Sequence, residues 1–192
     1  MNAHVPAASP ALLVMDFQAA IVARHDGHAA AQQAADAVRA AKSAQVPVFW
    51  VRVGFRPGHP EVHPRNRVFA AMAQAGQLVL DAEDSGFHPA VRPEPGDVVV
   101  TKKRVSAFAG SDLDVILRAR GVDTLVLAGV STSGVVLSTL RQAADLDYAL
   151  VVLADACADA DETAHRALLE NIFPRQGDVT TVNGWAATIG SG

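Results

Sequence analysis

Three places in this sequence carry side chains that could do chemistry at the edge of an apolar core. Asp16 directly follows the apolar residues 11–15, and the basic pair Lys102 and Lys103 follows residues 97–101. Burial would disfavour the charge of such an aspartate and a neighbouring lysine would favour it, so the pair could exchange a proton with a substrate. The alternative for Asp16 is a cap on a nearby helix. The residues alone do not decide which lysine would face it, because alternation along a strand puts the two on opposite sides.

The third place is the turn 129–136, where three consecutive hydroxyl side chains, Ser131, Thr132 and Ser133, stand between an apolar run and a helical pattern. Hydroxyls at this point can cap the start of a helix, and the free N–H groups there form a site for an anion. A serine could also act as a nucleophile, although that chemistry requires an adjacent base. The residues therefore allow a binding turn, a nucleophilic turn or an ordinary helix cap.

The elements that would position these residues alternate along the chain. Continuous apolar runs predict strands that are buried on both faces, and periodic runs predict helices between them. Strands are predicted at residues 11–15, 46–53, 97–101, 124–130, 149–154 and 179–182. Helices are predicted at 29–45, 69–74, 134–147 and 161–173, with another that starts from a capping box at 111–114 and a last turn near Trp185. We therefore expect an α/β fold of three layers, a doubly wound parallel sheet of about six strands with helices on both faces.

In a sheet of this kind, ligands bind beyond the carboxyl ends of the strands. Four polar residues fall at predicted carboxyl ends, namely Asp16, Lys102, Ser131 and Asp155. We expect these residues to converge on one site. The irregular segment 76–95 is expected to shape the pocket, because long loops in compact domains are often functional.

Length and composition restrict the class of protein. The 192 residues, half of them hydrophobic and 19% charged, suit one soluble domain over 1–192 with a flexible N-terminus at 1–10. The net charge of −4 and the scattered basic residues argue against a nucleic-acid partner, and no apolar run is long enough for a membrane partner. Residues 1–10 do not resemble a signal peptide. The single cysteine, Cys157, predicts a reducing, cytoplasmic location.

Three blocks of the sequence, 16–18, 102–113 and 129–148, resemble the isochorismatase-like hydrolases, a family that includes cysteine hydrolases and nicotinamidases. The resemblance extends over about residues 12–182. It implies that Asp16 is the catalytic acid or base. It also implies that Lys102 is the lysine that pairs with it, because the family has a lysine four residues before Ser-Ala-Phe. Gln18, from the first block, joins the residues that the resemblance places at the substrate.

The same resemblance assigns roles in the hydroxyl-rich turn. It implies a non-proline cis peptide bond before Ser131 and backbone N–H groups directed at a substrate oxygen, as in an oxyanion hole. The residues expected to bind substrate or oxyanion there are Val130, Ser131, Thr132, Gly134 and Val135. In the cysteine hydrolases the position of Val135 holds the nucleophilic cysteine, so this chain lacks that nucleophile.

Three functions are compatible with the missing cysteine. The first is hydrolysis of a small, anionic metabolite by Asp16 and Lys102, since isochorismatases proper also lack the cysteine and use the aspartate as a general acid on a vinyl ether. The second is a catalytically silent protein that binds a small ligand or a partner. The third is an amidase or esterase that uses Ser131 or Ser133.

Differences from the family concern the substrate and the metal. Isochorismatases have a glutamine before Pro-Gly after the second strand, where this chain has Arg56, which could hold a carboxylate bidentately or lie in a surface turn. The zinc motif of nicotinamidases is replaced at 52–54, and the prolines that follow His59 and His63 exclude a helix that would align the two histidines, so we expect no metal and no cofactor. Family members commonly assemble, so we expect a homo-oligomer, a dimer or larger, acting on a small-molecule substrate.

Overall fold

The computed structural model describes residues 9–82 and 85–190, and a six-stranded sheet forms their centre. The strands are β1 (Pro10–Met15), β2 (Val48–Val53), β3 (Val98–Lys102), β4 (Thr124–Val130), β5 (Ala149–Ala158) and β6 (Asp178–Thr180). Their order in the sheet is β3-β2-β1-β4-β5-β6, and every neighbouring pair is parallel. The chain therefore winds from β1 to one edge and then from β4 to the other, which confirms the doubly wound prediction.

Helices cover both faces of the sheet. They are α1 (Ala19–Arg24), α2 (His28–Ser43), α3 (Arg67–Gln74), α4 (Leu113–Ala119), α5 (Leu137–Asp145), α6 (Glu162–Ala167) and α7 (Val182–Ile189). One core lies between the sheet and the helices α4 and α5, and a second lies between the opposite face and the helices α2 and α7. The predicted three-layer α/β architecture is therefore confirmed.

The apolar runs explain why these elements pack as they do. Residues 11–15 of β1 are completely buried, because the strand is central and each face meets a helical layer. The helix α2 turns an alanine-rich stripe toward the sheet, at the spacing that places side chains on one helical face. Its buried members are Ala30, Ala31, Ala34, Ala37, Val38 and Ala41.

The expected place of Asp155 at a strand end is wrong. The strand β5 continues to Ala158, past an irregularity in its pairing with β4 between Leu127 and Gly129. Asp155 thus lies inside the strand, and its Oδ1 accepts a 2.8 Å hydrogen bond from the backbone N–H of Val182. Its carboxylate supports the start of α7 and does not line the cavity that holds Asp16.

The sequence predicted the ends of the helices less accurately than it predicted the strands. The capping box predicted at 111–114 does not form, because the Asp114 carboxylate pairs forward with Arg118 at 2.9 Å. The helix predicted at 161–173 ends as an α-helix at Ala167 and continues as a π-helical turn and a short 3-10 turn that contains Pro174. The six-residue helix α1 has no counterpart in the prediction, since it is too short to show helical periodicity.

The flexibility expected for residues 1–10 concerns mainly residues outside the described ranges. Within those ranges, the Ser9 backbone N–H donates to Asp123, and Pro10 already begins β1. Among the described helices, not one combines the length and the apolarity needed to cross a membrane.

Candidate active site

A cavity of about 540 Å³ opens at the carboxyl ends of four neighbouring strands. Residues at or just after those ends line it, namely Asp16, Val53, Lys102 and Val130. Its volume lies within the range of about 300–1,000 Å³ that is typical of small-molecule sites. It also lies at the switch point between β1 and β4, where open parallel sheets bind their ligands.

Asp16 and Lys102 form a buried ion pair in this cavity. The Nζ of Lys102 lies 2.8 Å from Oδ2 of Asp16, and their side chains are 2% and 8% exposed, respectively. The backbone positions both groups, because Asp16 follows β1 and Lys102 is the last residue of β3. Asp16 adopts a left-handed backbone conformation with φ 57°, which aspartate tolerates better than most residues.

The neighbouring Lys103 faces away from Asp16. Its Nζ donates to the backbone carbonyl of Gly54 and lies 3.9 Å from the Glu61 carboxylate. This is the alternation expected at the end of a strand. Of the two lysines that the residues alone left open, Lys102 is the one that meets the aspartate.

The two partners in the ion pair differ in their remaining bonds. Besides Asp16, the Lys102 ammonium group donates to the carbonyls of Arg104 and Val105, each at 3.0 Å, so its three N–H donors are all used. By contrast, Oδ1 of Asp16 has no hydrogen-bond partner among the described residues. Burial raises the pKa of the Asp16 carboxyl above its ordinary value, although Lys102 opposes this shift. A carboxyl with a free oxygen and a raised pKa is suited to exchange a proton with a bound substrate.

The hydroxyl-rich turn forms one wall of the cavity, to which Val130, Ser131, Gly134 and Val135 contribute. The peptide bond between Val130 and Ser131 is cis, as the resemblance implied. The Ser131 hydroxyl oxygen accepts from the Gly134 N–H at 3.1 Å. A Cβ at Gly134 would lie 2.6 Å from that oxygen, so this close approach requires glycine.

Several donors of the turn are already committed within the protein. The N–H and the hydroxyl of Ser133 both donate to Oδ2 of Asp159, at 2.7 and 2.6 Å, and the Gly134 N–H donates to Ser131. These N–H groups are therefore not free for an oxyanion. Burial raises the pKa of Asp159, but the hydrogen bonds from Ser133 hold this pKa below its ordinary value. The Asp159 carboxylate is therefore a poor base for activating a serine.

Val135 occupies the position expected for a nucleophile. Its side chain is almost completely buried and lines the cavity together with Ser138, one helical turn later. Thr132 differs from its neighbours, because it is fully buried outside the cavity lining and its hydroxyl lies 2.8 Å from Nδ1 of His165.

Besides Thr132, two predicted binding residues do not line the cavity. The buried side-chain amide of Gln18 donates to the carbonyls of Val53 and Ser85 and accepts from the Val53 N–H, so it ties β2 to the 85–88 segment. The Arg56 side chain is 69% exposed, and its NH1 lies 2.8 Å from the Glu61 carboxylate. The carboxylate that Arg56 holds is thus one of the protein's own.

Residues that the sequence analysis did not select complete the cavity. Arg24 and His25 come from the end of α1, and Val68, Phe69 and Met72 come from α3. The described part of segment 76–95, which was expected to shape the pocket, does not contribute to the lining. For Arg24 and His25, the sequence offered only a weak signal, a short alanine-rich stretch that ends in these two residues.

The two loop histidines have structural contacts. His59 is 7% exposed, and its Nε2 lies 2.7 Å from the Gln77 carbonyl. The Nδ1 of His63 accepts from the Arg65 N–H. Over residues 9–82 and 85–190, we find no group of three or more His, Cys, Asp or Glu side chains that could hold a metal ion.

Known proteins share both the sequence pattern and the fold. The isochorismatase domain matches residues 10–184. The chain is 38% identical over 169 residues to a ureidoacrylate amidohydrolase of Methylobacterium radiotolerans, covering 81% of this chain and 66% of that protein, so it spans just under two thirds of that relative. It is 34% identical to an uncharacterized isochorismatase family protein of Bacillus subtilis, over 89% of each chain.

A solved structure of an isochorismatase family protein from Burkholderia thailandensis superposes with a TM-score of 0.82 and 32% identity, over 95% of this chain and 96% of that one. The domain match and the shared fold both extend over nearly the whole chain. This protein therefore belongs to the isochorismatase family, a family of hydrolases.

Proposed function

We propose that this protein hydrolyses a small substrate with Asp16 as the general acid and without a cysteine nucleophile. The observation that carries the proposal is the state of the Asp16 carboxyl group. One oxygen is bound to Lys102, and the other is unpartnered among the described residues, in a cavity of small-molecule size. A positioned acid of this kind typically contributes about 10²–10⁴-fold in rate.

The reaction would run through protonation of the substrate. Asp16 donates its proton to the substrate atom that must gain it, and the positive charge of Lys102 compensates the carboxylate that remains. Water then adds to the electron-poor carbon of the substrate and gives up a proton, which restores the acid. The resulting adduct breaks its bond to the leaving oxygen, which takes up the proton of the added hydroxyl as it departs and leaves a carbonyl group behind. No covalent intermediate with the protein is formed, so the valine at position 135 is compatible with this route.

Vinyl ethers are the substrate class that suits this chemistry best, because protonation of the double bond activates them directly. Esters and amides are harder to open without a nucleophile. Although one relative is named an amidohydrolase, the position of the family's nucleophilic cysteine is a buried valine here, and Ser133 is held by a weakly basic carboxylate. A silent ligand-binding protein is the second candidate, and the buried alkyl side chain of Val135 favours it.

The decisive experiment measures turnover of wild type and Asp16→Asn on a panel of vinyl ethers, esters and amides. We expect the best substrate to lose about 10²–10⁴-fold in turnover, because asparagine keeps the shape but cannot donate the proton. Asp155→Asn is the matched control. It removes a carboxylate outside the cavity, and its amide oxygen can still accept from Val182.

The outcomes separate the candidates. A folded Asp16→Asn protein with wild-type turnover would contradict the proposal and direct attention to the hydroxyls of Ser131 and Ser133. Ligands that raise the melting temperature without any turnover across the panel would support the silent binder. The homo-oligomer and the cytoplasmic location stay predictions, which sedimentation and cell fractionation would check.

A further inference from the structure

The charged groups of the cavity do not cancel. An ionised Asp16 neutralises Lys102, and in either protonation state of Asp16 the three N–H donors of the lysine are used within the protein, so none is left for a ligand. Arg24, the last residue of α1, lines the same cavity. Its NH2 donates to the neutral side chain of Gln77 at 3.2 Å. Within residues 9–82 and 85–190, no carboxylate forms an ion pair with Arg24, so its positive charge is unpaired among these residues.

The neighbouring His25 adds a neutral donor. Burial lowers the pKa of His25, and the nearby charge of Arg24 acts in the same direction against the opposing carboxylate of Asp159. Its Nδ1 faces the backbone N–H of Ala160 at 3.3 Å and therefore accepts. In a neutral ring the proton is then on Nε2, which leaves a donor at the cavity but no second positive charge.

The remaining walls add no further cation. Much of the lining is hydrocarbon, with Phe69, Met72 and Val105 among its members. The turn contributes hydroxyls and backbone but no cation. Arg24 is therefore the cavity's available partner for a negative charge, because NH1 and Nε of its planar fork have no hydrogen-bond partner in the described ranges. Such a fork matches a carboxylate bidentately.

We propose that Arg24 binds the carboxylate of the substrate, so that this protein takes small monocarboxylates whose other end reaches Asp16. The role of Asp16 rests on the proposed function, whereas recognition of the carboxylate by Arg24 does not. The specificity for anions would then come from the short helix α1 and not from Arg56, whose guanidinium group is already paired with Glu61.

The test is a binding experiment that needs no turnover. Matched pairs of a carboxylate and its neutral amide, such as benzoate with benzamide and acrylate with acrylamide, are titrated calorimetrically into wild type, Arg24→Met and Arg39→Met. Arg39 is the control, because it lies on the exposed side of α2, paired with Asp36, and does not line the cavity. We expect wild type and Arg39→Met to bind at least one carboxylate about 10- to 100-fold more tightly than its amide, and Arg24→Met to lose this preference while its amide affinity is unchanged.

Two results would overturn the proposal. One is an Arg24→Met protein that keeps the preference for the carboxylate. The other is a wild-type protein that binds no carboxylate of the panel more tightly than the matching amide. Because binding is measured with compounds that the protein does not have to cleave, these results are independent of whether Asp16→Asn retains turnover.

Discussion

Lys102 binds one oxygen of Asp16 at 2.8 Å and leaves the other oxygen without a hydrogen-bond partner among the described residues. The pair is therefore asymmetric. The carbonyls of Arg104 and Val105 hold the ammonium group whether or not Asp16 is charged. The free oxygen is the part of the pair that can change its protonation state at little structural cost, and four predictions follow from this arrangement and from the residues around it.

The ion pair should contribute to stability as a unit. Lys102→Met leaves a buried carboxylate without its partner, and we expect the free energy of unfolding to fall by about 3–5 kcal/mol. The double variant Asp16→Asn/Lys102→Met should lose less than the sum of the two single changes, because the partners are in contact. Urea unfolding of the four proteins measures this coupling. Lys103→Met, which removes the neighbouring charge, should cost about 1 kcal/mol or less, and additive losses at Asp16 and Lys102 would contradict the coupling.

The raised pKa of Asp16 predicts how stability depends on pH. Because burial raises this pKa above its reference value of 3.8, the folded protein binds more protons than the unfolded chain between 3.8 and the folded-state pKa. In that window the free energy of unfolding falls as pH rises, and above the folded-state pKa the contribution is constant. Wild type should therefore lose stability relative to Asp16→Asn across the window. A relative gain with rising pH, in denaturation curves collected at several pH values, would show that Lys102 outweighs burial.

The same group should control the pH dependence of turnover. A general acid must be protonated, so kcat/KM should fall as pH rises through the raised pKa of Asp16. The residual activity of Asp16→Asn should not show this decrease. The pH–rate profile of the best substrate provides the measurement. A rise of kcat/KM over that range would instead assign Asp16 as a general base.

Thiol chemistry should depend on position 135 and not on the native cysteine. Burial raises the pKa of Cys157 to about 12, so its reactive thiolate is scarce at neutral pH and alkylating agents should leave turnover unchanged. Val135→Cys should introduce a thiol that iodoacetamide modifies, and with it amidase activity, since this side chain lines the cavity of the ion pair. Ser138→Cys is the matched control, a thiol on the same wall one turn away. Equal amide hydrolysis by Val135→Cys and Ser138→Cys would show that position 135 has no special role. If an alkylating agent inactivates wild type and Cys157→Ser prevents this inactivation, the prediction of an unreactive Cys157 is wrong.

The layered fold was predictable because its signals are local. Strands buried on both faces appear as continuous apolar runs, and the polar residue that ends such a run lies at the edge of the sheet where ligands bind. These signals place Asp16 after β1, the basic pair at the end of β3 and the hydroxyl turn after β4, as the structure has them. A short stretch of sequence is enough for this prediction, because the alternation of side chains along a strand and the burial of both its faces are visible in a few consecutive residues.

Facing directions and contacts between distant segments were decided only by the tertiary structure. Residue types alone could not choose between Lys102 and Lys103, and only the family resemblance selected Lys102. The sequence also placed Asp155 at a strand end that an irregular pairing moves three residues onward. The side chain of Gln18, which was expected at the substrate, is used up by backbone groups of other segments. Arg24, which the sequence did not single out, lines the cavity and forms no ion pair with the described residues. Each of these outcomes depends on which partners reach a side chain from elsewhere in the chain, and no local pattern of residue types encodes that.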